Sequence, residues 1–426
     1  MGKFKLWCWV SGIGLFAATM LLYQVHWNRF ATQTNTRFES IALANSLATR
    51  GTYSDPFAPL ATGPSAHVAP GYPALVALLM KMFGAGAGAD YALGIVTKAV
   101  VGFQLCLLPF LAEYMGLSWI AGALAGGAWL LTGVTLLRWE NDFAGLFIVM
   151  LAFPMYSSFR RRLSGREVAV VGVLWGELLL LTPVPVLAFG AWLLCLRLIS
   201  QYDWKTLFWL AAIPLLVISP WIVRNAAVFH ELILVRDNFG LEIGVSNSPC
   251  AAFSYVLNDL SGCFGATHPN VSYDEALRVR QLGEASYNHV RLHEGVNWIR
   301  NNPDRFLSLT AQRFVAFWFP NASGNPLQQP RLSRTEWITY LSTLLSIPGL
   351  LLMWHSHRAA ALLMMLWLVM FPLVYYLTQF SDRYRRPIFW ITLLCSSYLL
   401  VELLSPLVHR SVQVPSVQKG EDKLRA

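Results

Sequence analysis

Long apolar runs separated by short polar joints dominate the chain. A bilayer crossing takes about 20 such residues. Ten segments approach that length: 6–23, 91–114, 118–137, 143–159, 167–182, 183–200, 206–223, 335–354, 359–378 and 387–405. Two further runs are too short to cross. The stretch 72–84, YPALVALLMKMFG, would reach only about 20 Å as a helix, and 305–319, RFLSLTAQRFVAFWF, carries Arg313 in its middle. Both read as re-entrant or interfacial helices. The pattern predicts an all-α polytopic membrane protein with about ten transmembrane helices and interfacial helices on its outer face. Its parts would be a transmembrane module over 1–223, whose outer loop is 24–90, a large outer loop over 224–334, further spans over 335–405, and a short cytoplasmic tail, 406–426.

Composition supports the bilayer. Of 426 residues, 55% are hydrophobic and 13% charged, where soluble domains carry about 25% charged residues. Seventeen Trp and fifteen Tyr suit a molecule with many lipid–water boundaries. The net charge of +9 has no basic soluble module to carry it, so nucleic acid is excluded as a partner. Cytoplasmic loop charge and an anionic ligand or membrane account for it better. The first apolar run is long for a cleaved signal peptide, and no small-x-small site follows it, so an uncleaved first helix is expected. Cys8, Cys106, Cys195 and Cys395 lie in apolar segments. Cys250 and Cys263 share one polar loop and can pair if that loop is extracytoplasmic.

Lys and Arg in short loops set the orientation. Lys3 and Lys5, the RRRLSGR run, Arg197 with Lys205, the HSHR turn at 355–358 and the basic tail fall on one side. Both termini are then cytoplasmic, and 24–90, the turn near 138–142, 224–334 and the turn near 379–386 face outward. The outward SDRYRRP turn, 381–387, breaks the rule with three Arg. No internal repeat suggests an inverted-repeat transporter.

Several polar groups on that outer side carry candidate chemistry. After the first span, Asn35 or Thr36 can cap a helix with Phe38, Ile41, Ala44 and Leu47 on its apolar face, and Gly51 can end it. Glu39 falls in the first turn, where a carboxylate is favoured anyway, so a capping acid and a functional one are both open. The following loop has Pro at 56, 59, 64, 70 and 73 and reads as rigid, with Asp55 and His67 as its titratable members. Glu140 and Asp142, beside Arg138, sit at the outer end of the third span, either as a carboxylate pair with Glu39 or as a snorkelling cluster. Glu177 lies inside the fifth span, where an ionisable group should face a cavity or a partner. Arg383, Arg385 and Arg386 flank Tyr384 before the last span, and guanidinium forks suit phosphate oxygens, whether of a substrate or of a lipid headgroup.

Taken in order, these pieces resemble the GT-C superfamily, the polytopic glycosyltransferases that use polyprenyl-phosphate-linked sugars. The likeness is to its protein O-mannosyltransferase, aminoarabinose transferase and rhizobial galacturonosyltransferase-like group, over most of the chain. It rests on an early acid in the first outer loop (Glu39), the APGYPALVALLMKMFG turn into a short helix, WEND at 139–142, RYRRP near the end, and the stretches SPWIVRNAAVF and NPDRFLSLTAQRFVAFW. Two departures stand out. Family members often carry Asp or Asp-Glu where this chain has Glu39-Ser40, with no DxD present. A Lys that commonly precedes the Pro-rich turn is missing, with His67 nearest.

The resemblance implies inverting sugar transfer at the outer face of a bacterial inner membrane, from a polyprenyl-phosphate-linked donor to a glycolipid, polysaccharide or protein acceptor. Glu39 would be the general base. Arg383, Tyr384, Arg385 and Arg386, with Arg224 or Arg313, would hold the departing phosphate, and His67, Asp55 and Tyr72 would touch substrate. Glu140 or Asp142 would orient the acceptor or a divalent cation, Mg or Mn, shared by Glu39 and Glu140. A transporter of lipid-linked sugars and a non-catalytic membrane scaffold are the rival classes. A cavity joining Glu39, Glu140 and the Arg turn separates them.

Overall fold

The computed structural model describes residues 3–23, 38–132, 140–320 and 332–412. They form an all-helical bundle, with two isolated β-bridges among the described residues. Seven helices are long and apolar enough to cross a membrane: Lys5–Leu22, Ala87–Tyr114, Glu140–Arg160, Trp204–Phe229, Arg334–Ser356, Arg358–Leu377 and Asp382–Ser405. The protein is therefore a multi-pass membrane protein. Each of the seven matches one expected span.

The other three expected spans form shorter helices. Segment 118–137 gives Trp119–Leu131, and its end, from 133 on, lies outside the described residues. Segments 167–182 and 183–200 give Gly165–Leu181 and Val186–Leu198. Pro183 causes the break between them. A residue before proline is driven out of the helical region, and Thr182 is extended at φ −159°, ψ 130°. Thirteen residues reach about 20 Å, short of the roughly 30 Å of hydrocarbon. The expected short helix near 72–84 is present as Gly71–Phe83, and that near 305–319 as Pro303–Trp318.

Without a hydrophobic drive between helices in lipid, close approach over small residues supplies the packing. Gly172 and Gly176, one turn apart, face Ile213 and Val217. A Cβ added at either would stand 2.6 or 2.5 Å from its neighbour's Cβ, so only glycine lets these two helices touch. In the core, the buried Trp175 stacks on Trp367 at 5.6 Å. Glu177, on the same helix, is exposed.

Between the span Trp204–Phe229 and the span Arg334–Ser356, the large loop folds into short helices, including Phe239–Ser246, Cys263–Thr267 and Glu284–Asn301. Cys250 and Cys263 are joined there by a disulfide. This loop is stitched to the turn before the last span. The Tyr255 N–H donates to Phe380 O and the Phe380 N–H to Phe253 O, each at 2.8 Å, while Asn258 Nδ2 donates to Gln379 Oε1 at 2.9 Å.

Candidate active site

The helix Glu39–Arg50 opens on its acid and ends at Gly51, whose φ of 69° is the left-handed cap that glycine allows. Phe38 occupies the N-cap without a side-chain cap bond. Asn35 and Thr36, expected as caps, lie outside the described residues. The Pro-rich loop that follows is held by its backbone. Arg224 donates to Ser65 O at 2.7 Å and Tyr53 O at 2.9 Å. Arg236 Nε donates to His67 O at 2.9 Å, the Asp237 N–H to Ala66 O at 2.8 Å, and the Ala66 N–H to Glu284 Oε1 at 2.5 Å. Burial pushes the Glu284 carboxyl up to about 8. These bonds press His67 into the interior, against Phe57.

A cavity of about 260 Å³ lies where these elements meet the ends of two spans. Glu39 and His67 line one side. Glu140, at the start of its span, and Arg383 with Tyr384, at the start of the last span, line the other. The large loop supplies Arg236, Glu242, Tyr255, Asp259, His268 and Asn270. Burial raises the Glu39 carboxyl to about 7, against the lowering pull of its own backbone N–H, Arg383 and Arg236. The imidazoles of His67 and His268 each approach Glu39 Oε1 to 4.0 Å. Burial lowers His268 to about 4 and holds His67 well below its ordinary value, so neither is an ion-pair partner at neutral pH. Glu140 Oε2 is buried and has no hydrogen-bond partner among the described residues.

The remaining candidates fall outside this cavity. The three arginines of the SDRYRRP turn diverge because Asp382–Arg385 winds as a 3₁₀ helix, whose three residues per turn send neighbours to different sides. Arg383 enters the cavity. Arg385 turns into the bundle and donates to Trp318 O, Thr343 Oγ1 and Thr392 Oγ1 at 2.7, 2.7 and 3.2 Å. Arg386 pairs with Asp142 at 3.2 Å, both side chains buried, which ties the ends of two spans together. Two of the three outward charges thus serve the protein's own interior, and Asp142 is engaged by one of them. Arg313 is fully buried and clamps Ser246 O, Asn247 Oδ1 and Leu377 O. Arg224 holds loop carbonyls, as described. Asp55 pairs with Arg50 and accepts from the Gly63 N–H at 2.8 Å. Tyr72 is buried against Phe143.

Among the described residues, no three His, Cys, Asp or Glu side chains converge as a metal-holding group.

Fold and site together define a polytopic all-α membrane protein with a polar cavity at the ends of its spans, and its fold is GT-C-like. The sequence matches no protein-family model and no curated protein. Among solved structures it is similar to the archaeal oligosaccharyltransferase AglB of Archaeoglobus fulgidus, in complex with an inhibitory peptide and a dolichol-phosphate. The TM-score is 0.52 at 13% identity, over 100% of this chain and 53% of that one. An Archaeoglobus fulgidus oligosaccharyltransferase tethered to an acceptor peptide gives 0.53 at 14%, over 99% and 52%. ArnT of Cupriavidus metallidurans bound to undecaprenyl phosphate gives 0.38 at 10%, over 96% and 81%. The chain thus spans about half the length of AglB.

Proposed function

We propose that the protein is a membrane glycosyltransferase that moves a sugar from a polyprenyl-phosphate donor to an envelope acceptor, with inversion. The observation that carries this reading is Glu39. It is a carboxyl raised to about 7, in one cavity with Arg383 and Glu140 at the ends of membrane spans. A base works best when its pKa lies near the working pH. In the reaction, an acceptor hydroxyl attacks the anomeric carbon and loses its proton to Glu39. The bond from that carbon to the phosphate oxygen breaks, and its electron pair leaves with the lipid phosphate. Arg383 and Arg236, both at the cavity wall, meet the charge that develops there. Glu140 orients the acceptor. The cavity would open on the outer face of a bacterial inner membrane.

A transporter of lipid-linked sugars would need polar groups along a path near the midplane. Glu177, the one acid expected there, is exposed, which favours the transferase. The test is mass spectrometry of envelope glycolipids and glycoproteins in a strain lacking the gene, complemented by the parent or by Glu39→Gln. The deletion should lose one glycan modification and the parent should restore it. Glu39→Gln should fail to restore it, since a base contributes about 10²–10⁴-fold. Restoration by Glu39→Gln at equal expression would refute the assignment.

A further inference from the structure

Glu39 is gripped by another residue of the cavity lining, 231 positions away in sequence. Asn270 Nδ2 donates to Glu39 Oε1 at 2.9 Å. The Asn270 N–H donates in turn to His268 Nδ1 at 3.1 Å. A neutral imidazole that accepts at Nδ1 carries its proton on Nε2, and that Nε2 faces Glu39 Oε1 at 4.0 Å. His268 is itself fixed. Its ring packs edge-on against Phe264 at 5.5 Å, and its carbonyl accepts from the Val271 and Ser272 N–H groups at 3.0 and 2.8 Å. Phe264 follows the disulfide-bonded Cys263 directly, so the 268–272 turn is anchored by a covalent link as well as by its own bonds.

We propose that Asn270, with His268 behind it, is the positioning device for Glu39: it occupies Oε1, so that Oε2 is the oxygen that receives the acceptor's proton. This rests on the reading of Glu39 as the base. A carboxylate held at one oxygen loses rotamer freedom and presents the other in a fixed direction, which is the orientation that proton transfer needs. A hydrogen bond to the ionised form also favours ionisation. Asn270 thus opposes the burial that drives Glu39 upward, and helps keep it titrating near neutrality. The other charged or titratable groups around Glu39 are His67 on the Pro-rich loop, Arg236, Glu242, Tyr255 and Asp259 on the large loop, Glu140 at the start of its span, and Asp382, Arg383 and Tyr384 at the start of the last span. Arg236 and Arg383 add positive charge that favours its ionised form.

The test is an infrared titration of the full chain in phosphatidylethanolamine–phosphatidylglycerol nanodiscs, with no sugar donor present. The Glu39 band is the protonated-carboxyl absorption that disappears in Glu39→Gln. Asn270→Leu removes the donor and keeps water out, so the Glu39 midpoint should rise by about one pH unit or more. Asn270→Asp, nearly isosteric, places a second carboxylate against Oε1 and should also raise it. This variant covers the case in which the leucine variant fails to fold. His268→Leu should raise the midpoint by loosening the turn. His268→Asn, whose side-chain oxygen replaces Nδ1 as acceptor, should restore the parent value, an effect that bulk packing would not produce.

An unchanged midpoint in both Asn270 variants overturns the proposal, whatever happens to the envelope glycan. A raised midpoint with the glycan intact upholds the contact and overturns Glu39 as base. A raised midpoint with the glycan lost supports both.

Discussion

Replacing Glu39 with Gln should make the protein more stable, and only above mildly acidic pH. The partly buried carboxyl is raised to about 7 in the folded chain against an ordinary value of 4.5. At about 1.4 kcal/mol per pH unit between the two, ionising Glu39 in place costs the fold about 3 kcal/mol. The sign follows from linkage. A group whose folded pKa is raised gives its full stability below the unfolded value and loses it as pH climbs through the folded one. The parent should therefore weaken between about pH 4.5 and 8, while Gln cannot ionise and still offers a side-chain oxygen to Asn270. Glu284 and Asp237, raised to about 8 and about 6 by burial, titrate in the same direction but in both proteins, so they cancel in the difference. The assay is thermal unfolding in nanodiscs, followed by tryptophan fluorescence, for parent and variant between pH 5 and 8. The gap in Tm should be small at pH 5 and widen by several degrees by pH 8. A gap that stays flat over that range would refute the partly buried, elevated carboxyl.

The arginines of the turn before the last span should separate cleanly. Arg383→Gln should abolish sugar transfer, read from the envelope glycan, while its Tm stays near the parent's. Arg385→Met breaks three hydrogen bonds of a buried guanidinium, and after relief of the buried charge should cost about 2–4 kcal/mol of stability. Asp142→Asn or Arg386→Met alone breaks a buried ion pair and should cost about 3–5 kcal/mol. The double variant should recover much of that, as a double-mutant cycle in thermal or denaturant unfolding would register. Removing Cys250 and Cys263 together, whose bond closes a short loop of separation 13, should cost about 3 kcal/mol in the same unfolding assay, with transfer falling as the His268 turn loosens.

Much of the architecture was legible because it follows from a period and a length. Seven of the long apolar runs are spans, and the runs too short to cross are short helices, as at Gly71–Phe83. Where the reading overshot, it was in length: the boundary expected at 182/183 is there, at Pro183, but the helices on either side have only 17 and 13 residues. Gly172 and Gly176, a small-residue pair at helical spacing, went unread although the signal was present. The site was harder. Glu39, His67, Glu140, Arg383 and Tyr384 do share a cavity, and each was visible as a polar residue on the predicted outer side. Asp55, Arg224, Arg313, Arg385 and Arg386 had the same credentials and serve backbone carbonyls, amides or buried partners instead. Residue type and depth do not say which way a side chain turns. Arg236, His268 and Asn270 were missed because the large loop has no long periodic pattern. Their partners lie far away in sequence, 231 positions for Asn270 and Glu39.

The Pro-rich loop carries a consequence for how such a chain diverges. Its path is secured through main-chain groups, by Arg224 and Arg236 on its carbonyls and Glu284 on an amide. Every amino acid supplies the carbonyl, and every one but proline the amide N–H. The identities of most loop residues can drift while the course of the loop, and with it the place of His67, is inherited unchanged. A scaffold fastened in this way keeps its shape after its spelling has been lost.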